Sequence, residues 1–175
     1  MYLLKNHILI SMPHMEDPFF TKSVVLLCDH SQYGAMGIVI NKVLNNYENQ
    51  KISNLHKNFD HIYFGGPLMI ENEILLHEKK INHNKSYKIS NNLFLSTRVS
   101  LKNDNDIKFG KKKLILGHSG WSPGQLESEI ENGDWMIQKP NHELLFNTKN
   151  DQIWDRSIKS FGIEIENLST LSGQA

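Results

Sequence analysis

The stretch that most constrains this chain runs from Leu114 to Gly133. Leu114-Ile115-Leu116 is an apolar run that reads as a buried strand. Gly117-His118-Ser119-Gly120-Trp121-Ser122-Pro123-Gly124 then reads as a glycine-rich turn, and the residues after it as a short helix. Ser122 is a good N-cap, Pro123 suits the first helical position, and Gln125 stands three residues after the cap, the spacing of a capping box. Leu126 and Ile130 fall on one helix face, and Gly133 is placed to end the helix in a left-handed conformation. Glycine lets a backbone or a ligand approach closely, and the N–H groups of a first helical turn can accept an anion. His118, Gly120, Trp121, Gly124 and Gln125 are therefore candidate ligand- or partner-binding positions. The competing reading is that the glycines and the proline only make a tight connection. No lysine follows Gly124, and Glu127, Glu129 and Glu131 would repel a phosphate, so this is not a P-loop.

A chain of 175 residues fits one domain over 1–175 and buries about 70% of its unfolded surface without staples. Cys28 is the sole cysteine, so no internal disulfide can form, which points to a reducing compartment. The chain shows neither a signal-peptide pattern nor a run of the roughly 18 apolar residues that a membrane span needs. The expectation is a cytoplasmic protein with no membrane contact. Nineteen basic residues balance nineteen acidic ones, and a nucleic-acid binder normally carries a basic excess or stripe. The basic run Lys111-Lys112-Lys113 reads as the solvated start of a strand rather than a phosphate contact.

Read in order, His7–Met12, Ser23–Cys28 and Met36–Ile40 are strands, with 29–34 a longish hairpin loop. A short amphipathic helix is expected near 52–58, strands at Ile62–Phe64 and Ile74–His77, and loop over most of 78–92. Leu93–Leu95 reads as a short edge strand, 97–109 as helical turns, and Leu144–Phe146 as a late strand. Ile153, Trp154, Ile158 and Phe161 share one face of a helix over 151–161 that Gly162 closes, and the tail 163–171 is expected to pack on the body. Strands outnumber helices and do not alternate with them, which argues for an α+β fold with a mixed sheet.

Cys28 and His30 are two residues apart, on one face if the strand persists. A thiol beside an imidazole can be a catalytic nucleophile or redox sensor; a cysteine following Val24-Val25-Leu26-Leu27 can equally be a small buried hydrophobe. None of the nine histidines falls in a metal-binding spacing, so no metal and no cofactor are expected. His118-Ser119-Gly120 lacks the spacer of a nucleophile elbow. Trp121 and Trp154 can be binding aromatics, but core packing is the commoner fate of each; partial exposure is the alternative for Trp121, beside Gly120.

Several stretches together resemble the YqgE/AlgH family of bacterial proteins. They are Leu9-Ile10-Ser11-Met12-Pro13, Asp17-Pro18-Phe19, Cys28-Asp29-His30, Gly34-Ala35-Met36-Gly37 and Val39-Ile40-Asn41-Lys42, then Gly65-Gly66-Pro67-Leu68, Gly120-Trp121, Gly124-Gln125-Leu126-Glu127 and Phe161-Gly162-Ile163. The resemblance covers nearly the whole chain; it departs at His118, where the family usually carries an aromatic. It implies a bent sheet approaching a pseudo-barrel with helices packed outside and no particular reaction; one branch is linked by name to alginate regulation, too indirectly to make this chain a transcription factor, so a transcriptional regulator is only the last alternative. The combined expectation is a binding or regulatory module for a small molecule or protein. Its site would gather Cys28, His30 and Asn41 with the turns Gly65-Gly66-Pro67 and Gly120–Gly124.

Overall fold

Three strands rich in leucine and β-branched residues start the sheet: β1 (Ile8–Ser11), β2 (Val24–Ser31) and β3 (Gly34–Val39). The computed structural model describes residues 3–44, 59–80, 86–97 and 110–162. All of β1 is buried, which is why Ile8-Leu9-Ile10 is continuously apolar rather than alternating. Successive side chains point to opposite faces of a strand. Ile8, Ile10, Val24, Leu26 and Ile38 accordingly enter one core, and Leu9, Val25, Leu27 and Val39 another. Helix α1 (Gln125–Glu131) adds Leu126 to the second core. Helices α2 (His142–Phe146) and α3 (Asn150–Lys159) add Leu144, Leu145, Ile153, Trp154 and Ile158 to the first. Helices thus flank both faces of this part of the sheet. Trp154 fills its core with a large ring and also satisfies its polar edge, its Nε1–H donating to the Ser11 carbonyl at 2.8 Å.

The other strands are β4 (Ile62–Phe64), β5 (Leu68–His77), β6 (Ser86–Ser90), β7 (Leu93–Thr97), β8 (Lys112–Trp121) and β9 (Trp135–Gln138). Among the described residues they form one nine-stranded sheet, in the order β6-β7-β5-β8-β3-β2-β1-β9 with β4 alongside β8. Its pairings are antiparallel except β4 with β8, and it does not close on itself. The class is α+β with a mixed sheet.

Strand β8 is the spine. Its first half pairs with β5 on one side and β4 on the other, whereas Ser119, Gly120 and Trp121 pair with β3. Gly117 marks the change, at φ 71°, a left-handed conformation that glycine adopts without penalty. β4 fills the fork between β8 and the continuation of β3. Phe64 N–H donates to the Lys42 carbonyl and Leu44 N–H to the Ile62 carbonyl, each at 2.9 Å.

Several sequence expectations change here. The stretch 117–121 is strand, not turn. The turn is Ser122–Gln125, with Pro123 fixing its second position and Gly124 at φ 77° in its third, the pattern of a type II turn. Gln125 N–H donates to the Ser122 carbonyl, and Gln125 Oε1 accepts from Ser122 N–H, both at 3.0 Å. Half of the expected capping box survives, but the cap position is Gly124. The loop 29–34 shrinks to a tight hairpin because β2 runs on to Ser31. β5 begins directly after Pro67, β6 occupies part of the expected loop, and β7 lies inside the sheet rather than at its edge. Residues 144–146 are helical, because the Asn141 side chain accepts from Leu144 N–H at 2.7 Å and caps α2. The helix expected at 52–58, the turns expected over 97–109 except for Thr97, which ends β7, and the tail from 163 lie outside the described residues.

Candidate functional site: an aromatic cleft beside helix α1

Cys28 and His30 do not share a face. Leu27 pairs with Gly37 and Asp29 with Met36, leaving Cys28 as an extra residue in a bulge. The bulge breaks the two-residue period of β2. Cys28 enters the first core, fully buried, while His30 is turned to α1 on the other side, its Nε2 3.0 Å from Glu127 Oε1. His30 Nδ1 accepts from the Leu4 N–H at 2.9 Å, so Nε2 carries the proton and donates to the carboxylate. Burial pushes the Cys28 thiol well above its ordinary range. An activated thiolate needs the opposite environment, exposure and a neighbouring cation, and His30 is committed elsewhere.

Asn41 is tied into the fold. Its Oδ1 accepts from Val24 N–H at 2.8 Å and its Nδ2 donates to the Lys22 carbonyl at 2.9 Å. The Gly65-Gly66 pair faces backbone. A Cβ on Gly65 would stand 2.3 Å from the Gly117 carbonyl oxygen, and one on Gly66 2.3 Å from the His118 carbonyl group. Gly65 N–H donates to the Leu116 carbonyl, and the Gly65 carbonyl accepts from Val39 N–H, both at 2.8 Å. These glycines let β4 and β8 touch, and Pro67 then leads to the surface. Half-buried His118 pairs with Leu68 across β8 and β5. The composite arrangement expected from Cys28 through Gly124 is therefore not gathered at one place.

Gly120, Trp121 and Gln125 are gathered. They line a cleft of about 480 Å³ between the segment His14–Phe20 and the start of α1, together with Glu129, Asp134 and Trp135. Trp121 is 6% exposed, packed as the commoner reading had it, because Phe20 stacks on it at 6.3 Å and Trp135 meets it edge-on at 6.2 Å. Glu129 locks this aromatic cluster. Its Oε2 accepts from both indole N–H groups, of Trp121 and Trp135, and its Oε1 from Gln125 Nε2, each at 2.8 Å. Asp17 holds the opposite wall, its Oδ1 accepting from Phe19 N–H at 2.8 Å and Phe20 N–H at 3.1 Å. His14 lies 3.8 Å from Asp134 at the rim. Among the described residues the cleft carries Glu16, Asp17, Glu129 and Asp134 and no lysine or arginine on its walls. Sequence reasoning missed Phe20, Glu129 and Trp135. The signal for Glu129 was its place four residues after Gln125, one helical turn away. The pairing of Trp121 with Trp135 depends on the turn after α1, where Gly133 at φ 81° reverses the chain. Among the described residues no group of histidine, cysteine and carboxylate side chains could hold a metal ion.

Known proteins share this architecture. The solution structure of the AlgH protein from Pseudomonas aeruginosa superposes with a TM-score of 0.73 at 28% identity, covering 99% of this chain and 95% of that one. A crystal structure of a Corynebacterium diphtheriae protein gives the same TM-score of 0.73 at 20% identity, over 91% of this chain and 88% of that one, a likeness of fold alone. A UPF0301 protein of Pseudoalteromonas translucida is 31% identical over the full length of both chains. One of Marinomonas is 35% identical over 94% of this chain and 93% of its own. A family model described as AlgH-like matches residues 8–166. The chain belongs to the AlgH-like family.

Proposed function

We propose that the chain is a cytoplasmic binding module of regulatory type and that its ligand or partner site is the aromatic cleft beside α1. One observation carries this reading: a concave surface with an aromatic floor and four carboxylate residues on its walls, with no lysine or arginine among the described residues that line it. Clefts at which a few polar groups converge over an apolar floor are the usual form of a binding site. The charge suits a cationic group, an ammonium or guanidinium of a small molecule or of a protein partner, which carboxylates and indole faces both attract. Gly120 lines the cleft, and Gly117 serves it indirectly. Gly117, at φ 71°, marks where β8 changes partners, and we infer that this is the start of the curl toward the pseudo-barrel with outer helices that the family resemblance implies.

The test is native mass spectrometry of the gently purified protein, beside a Glu16→Gln/Asp134→Asn double variant and a Trp121→Ala variant. The expected result is an added mass, or a co-purified protein, that both variants lose. A mass retained by the double variant would overturn the assignment to this cleft. A bare chain that also fails to bind alkylammonium or guanidinium probes would overturn the cationic reading.

A further inference from the structure

A second cleft lies on the other side of the molecule and has the opposite charge. It occupies about 440 Å³ between the start of β8, the residues before β4, and the first turn of α3. Four lysines line it, Lys111, Lys112, Lys113 and Lys149, with His61, Tyr63 and Asn150 beside them; Asp60 is the carboxylate on its wall. The sequence expectation was that the run Lys111-Lys112-Lys113 is a solvated strand start. For Lys113 that fails, since it is 5% exposed.

Lys113 is unusual in what surrounds it. Its Nζ donates to the Ile40 carbonyl at 2.9 Å and sits 4.4 Å from the centre of the Tyr63 ring. An ammonium has three N–H groups, and no carboxylate stands within ion-pair distance of this one among the described residues. Buried lysines are normally paired. Burial lowers the Lys113 ammonium to about 8, so the site holds a cation for which the described residues supply no counter-charge. Tyr63 is fixed in turn, its hydroxyl donating to Asn150 Oδ1 at 2.9 Å. That bond holds the first residue of α3 against the cleft. α3 is ten residues long, and the N-terminal end of such a helix attracts negative charge.

From this arrangement we infer that the lysine cleft binds a phosphate-type oxyanion, free or as the end group of a small metabolite, with Lys113 as its buried anchor and Lys149 at its mouth. The anion supplies the missing counter-charge and accepts from the remaining Lys113 N–H groups. The volume exceeds what one phosphate fills, leaving room for an organic remainder against Phe59 and Phe146. This inference is independent of the aromatic cleft and stands whether or not that cleft binds a cation.

The experiment is a calorimetric titration of the full chain with inorganic phosphate and, separately, with glycerol 3-phosphate. Variants Lys113→Met and Lys149→Ala are run beside a surface control, Lys88→Met. The expected result is saturable one-to-one binding, weakened at least tenfold by Lys113→Met, a few-fold by Lys149→Ala and not at all by Lys88→Met. Tighter binding of glycerol 3-phosphate assigns the site to a phosphorylated metabolite, and equal binding to the bare anion. A non-saturating titration of the wild-type protein with both probes overturns the inference. So does an unchanged affinity in Lys113→Met. Should Lys113→Met prove unfolded, acylation of Lys113 in the wild-type protein decides: phosphate must slow it at least threefold, and equal rates with and without phosphate overturn the site.

Discussion

Replacing Lys113 by methionine is expected to raise stability modestly near neutral pH and to reduce it, relative to the wild-type protein, in alkali. Burial takes the Lys113 ammonium from 10.5 to about 8. One pKa unit corresponds to about 1.36 kcal/mol, so protonated Lys113 destabilises the folded state by roughly 3 kcal/mol. The folded value is the lower one, so the unfolded chain binds the extra proton between about 8 and 10.5. Stability contributed by this group therefore rises with pH through that window. The penalty is complete below it and absent above it. Methionine keeps the unbranched length without the charge, which removes the penalty at every pH. The substitution also strands the Ile40 carbonyl, to which a neutral amine still donates, for about 1–2 kcal/mol at every pH; the attraction of the ammonium to the Tyr63 ring is already part of the net lowering. At pH 7 the methionine variant is therefore expected to be more stable than the wild type by about 1–2 kcal/mol. Once Lys113 is neutral, it is expected to be less stable than the wild type by about 1–2 kcal/mol. Tyr63 does not confuse the window, because burial pushes its phenol above its ordinary 10.0. Urea unfolding followed by tryptophan fluorescence, at half-unit steps from pH 7 to 10.5, gives the difference between the two proteins, in which other titrating groups cancel. A difference that stays constant across the range refutes the account of Lys113 as a buried, unpaired cation.

Two further outcomes follow from the packing. Gly66→Ala is expected to prevent folding or to cost several kcal/mol, because its Cβ would stand 2.3 Å from the His118 carbonyl at φ 149°. Gly124→Ala meets nothing within 4 Å and is expected to cost only about 1–2 kcal/mol for the left-handed backbone. Thermal unfolding of the pair separates the two causes, and similar losses in both would refute the distinction. Cys28 is expected to react with iodoacetamide at pH 7 more than a hundredfold more slowly in the native protein than in urea, as a buried thiol with a raised pKa must. Labelling followed by intact mass measures this, and fast native labelling would restore the reactive-thiol reading.

What the sequence carried of this structure depended on how local each signal was. The strands at Ile8, Val24 and Ile62 announce themselves as apolar β-branched runs, and the helix over 150–159 by its apolar face. The end of α1 at Gly133 was legible because a left-handed residue favours glycine. The start of α1 was misplaced because Ser-Pro-Gly serves as a turn as readily as a cap. Leu144-Leu145-Phe146 looks like a strand until Asn141 is seen to cap it. The glycines at 65, 66 and 117 suggested a ligand's approach, and the approach is that of β4 and β8 to each other. That alternative is invisible without knowing which strands are neighbours. The same holds for Cys28 and His30, parted by one bulged residue. The aromatic cleft was partly legible, through Gly120, Trp121 and Gln125, but its other wall comes from residues a hundred positions earlier. Lys113 was misread because a run of three lysines looks solvated, and only its neighbours across the sheet bury the third.

The position of β8 in the chain has a consequence for how the protein can be made. β3, β4 and β5 all pair with a strand that begins at Lys112, and β1 waits further still for Trp135–Gln138. During synthesis, everything before residue 112 is on hand with the seam between its two halves unstitched, exposing the edges of β3 and β5 along which strands of other chains can add. A nascent or truncated chain that stops short of Trp121 therefore cannot build a continuous sheet, however well its own hairpins form. Synthesis must reach roughly three quarters of the chain before the two halves become one object.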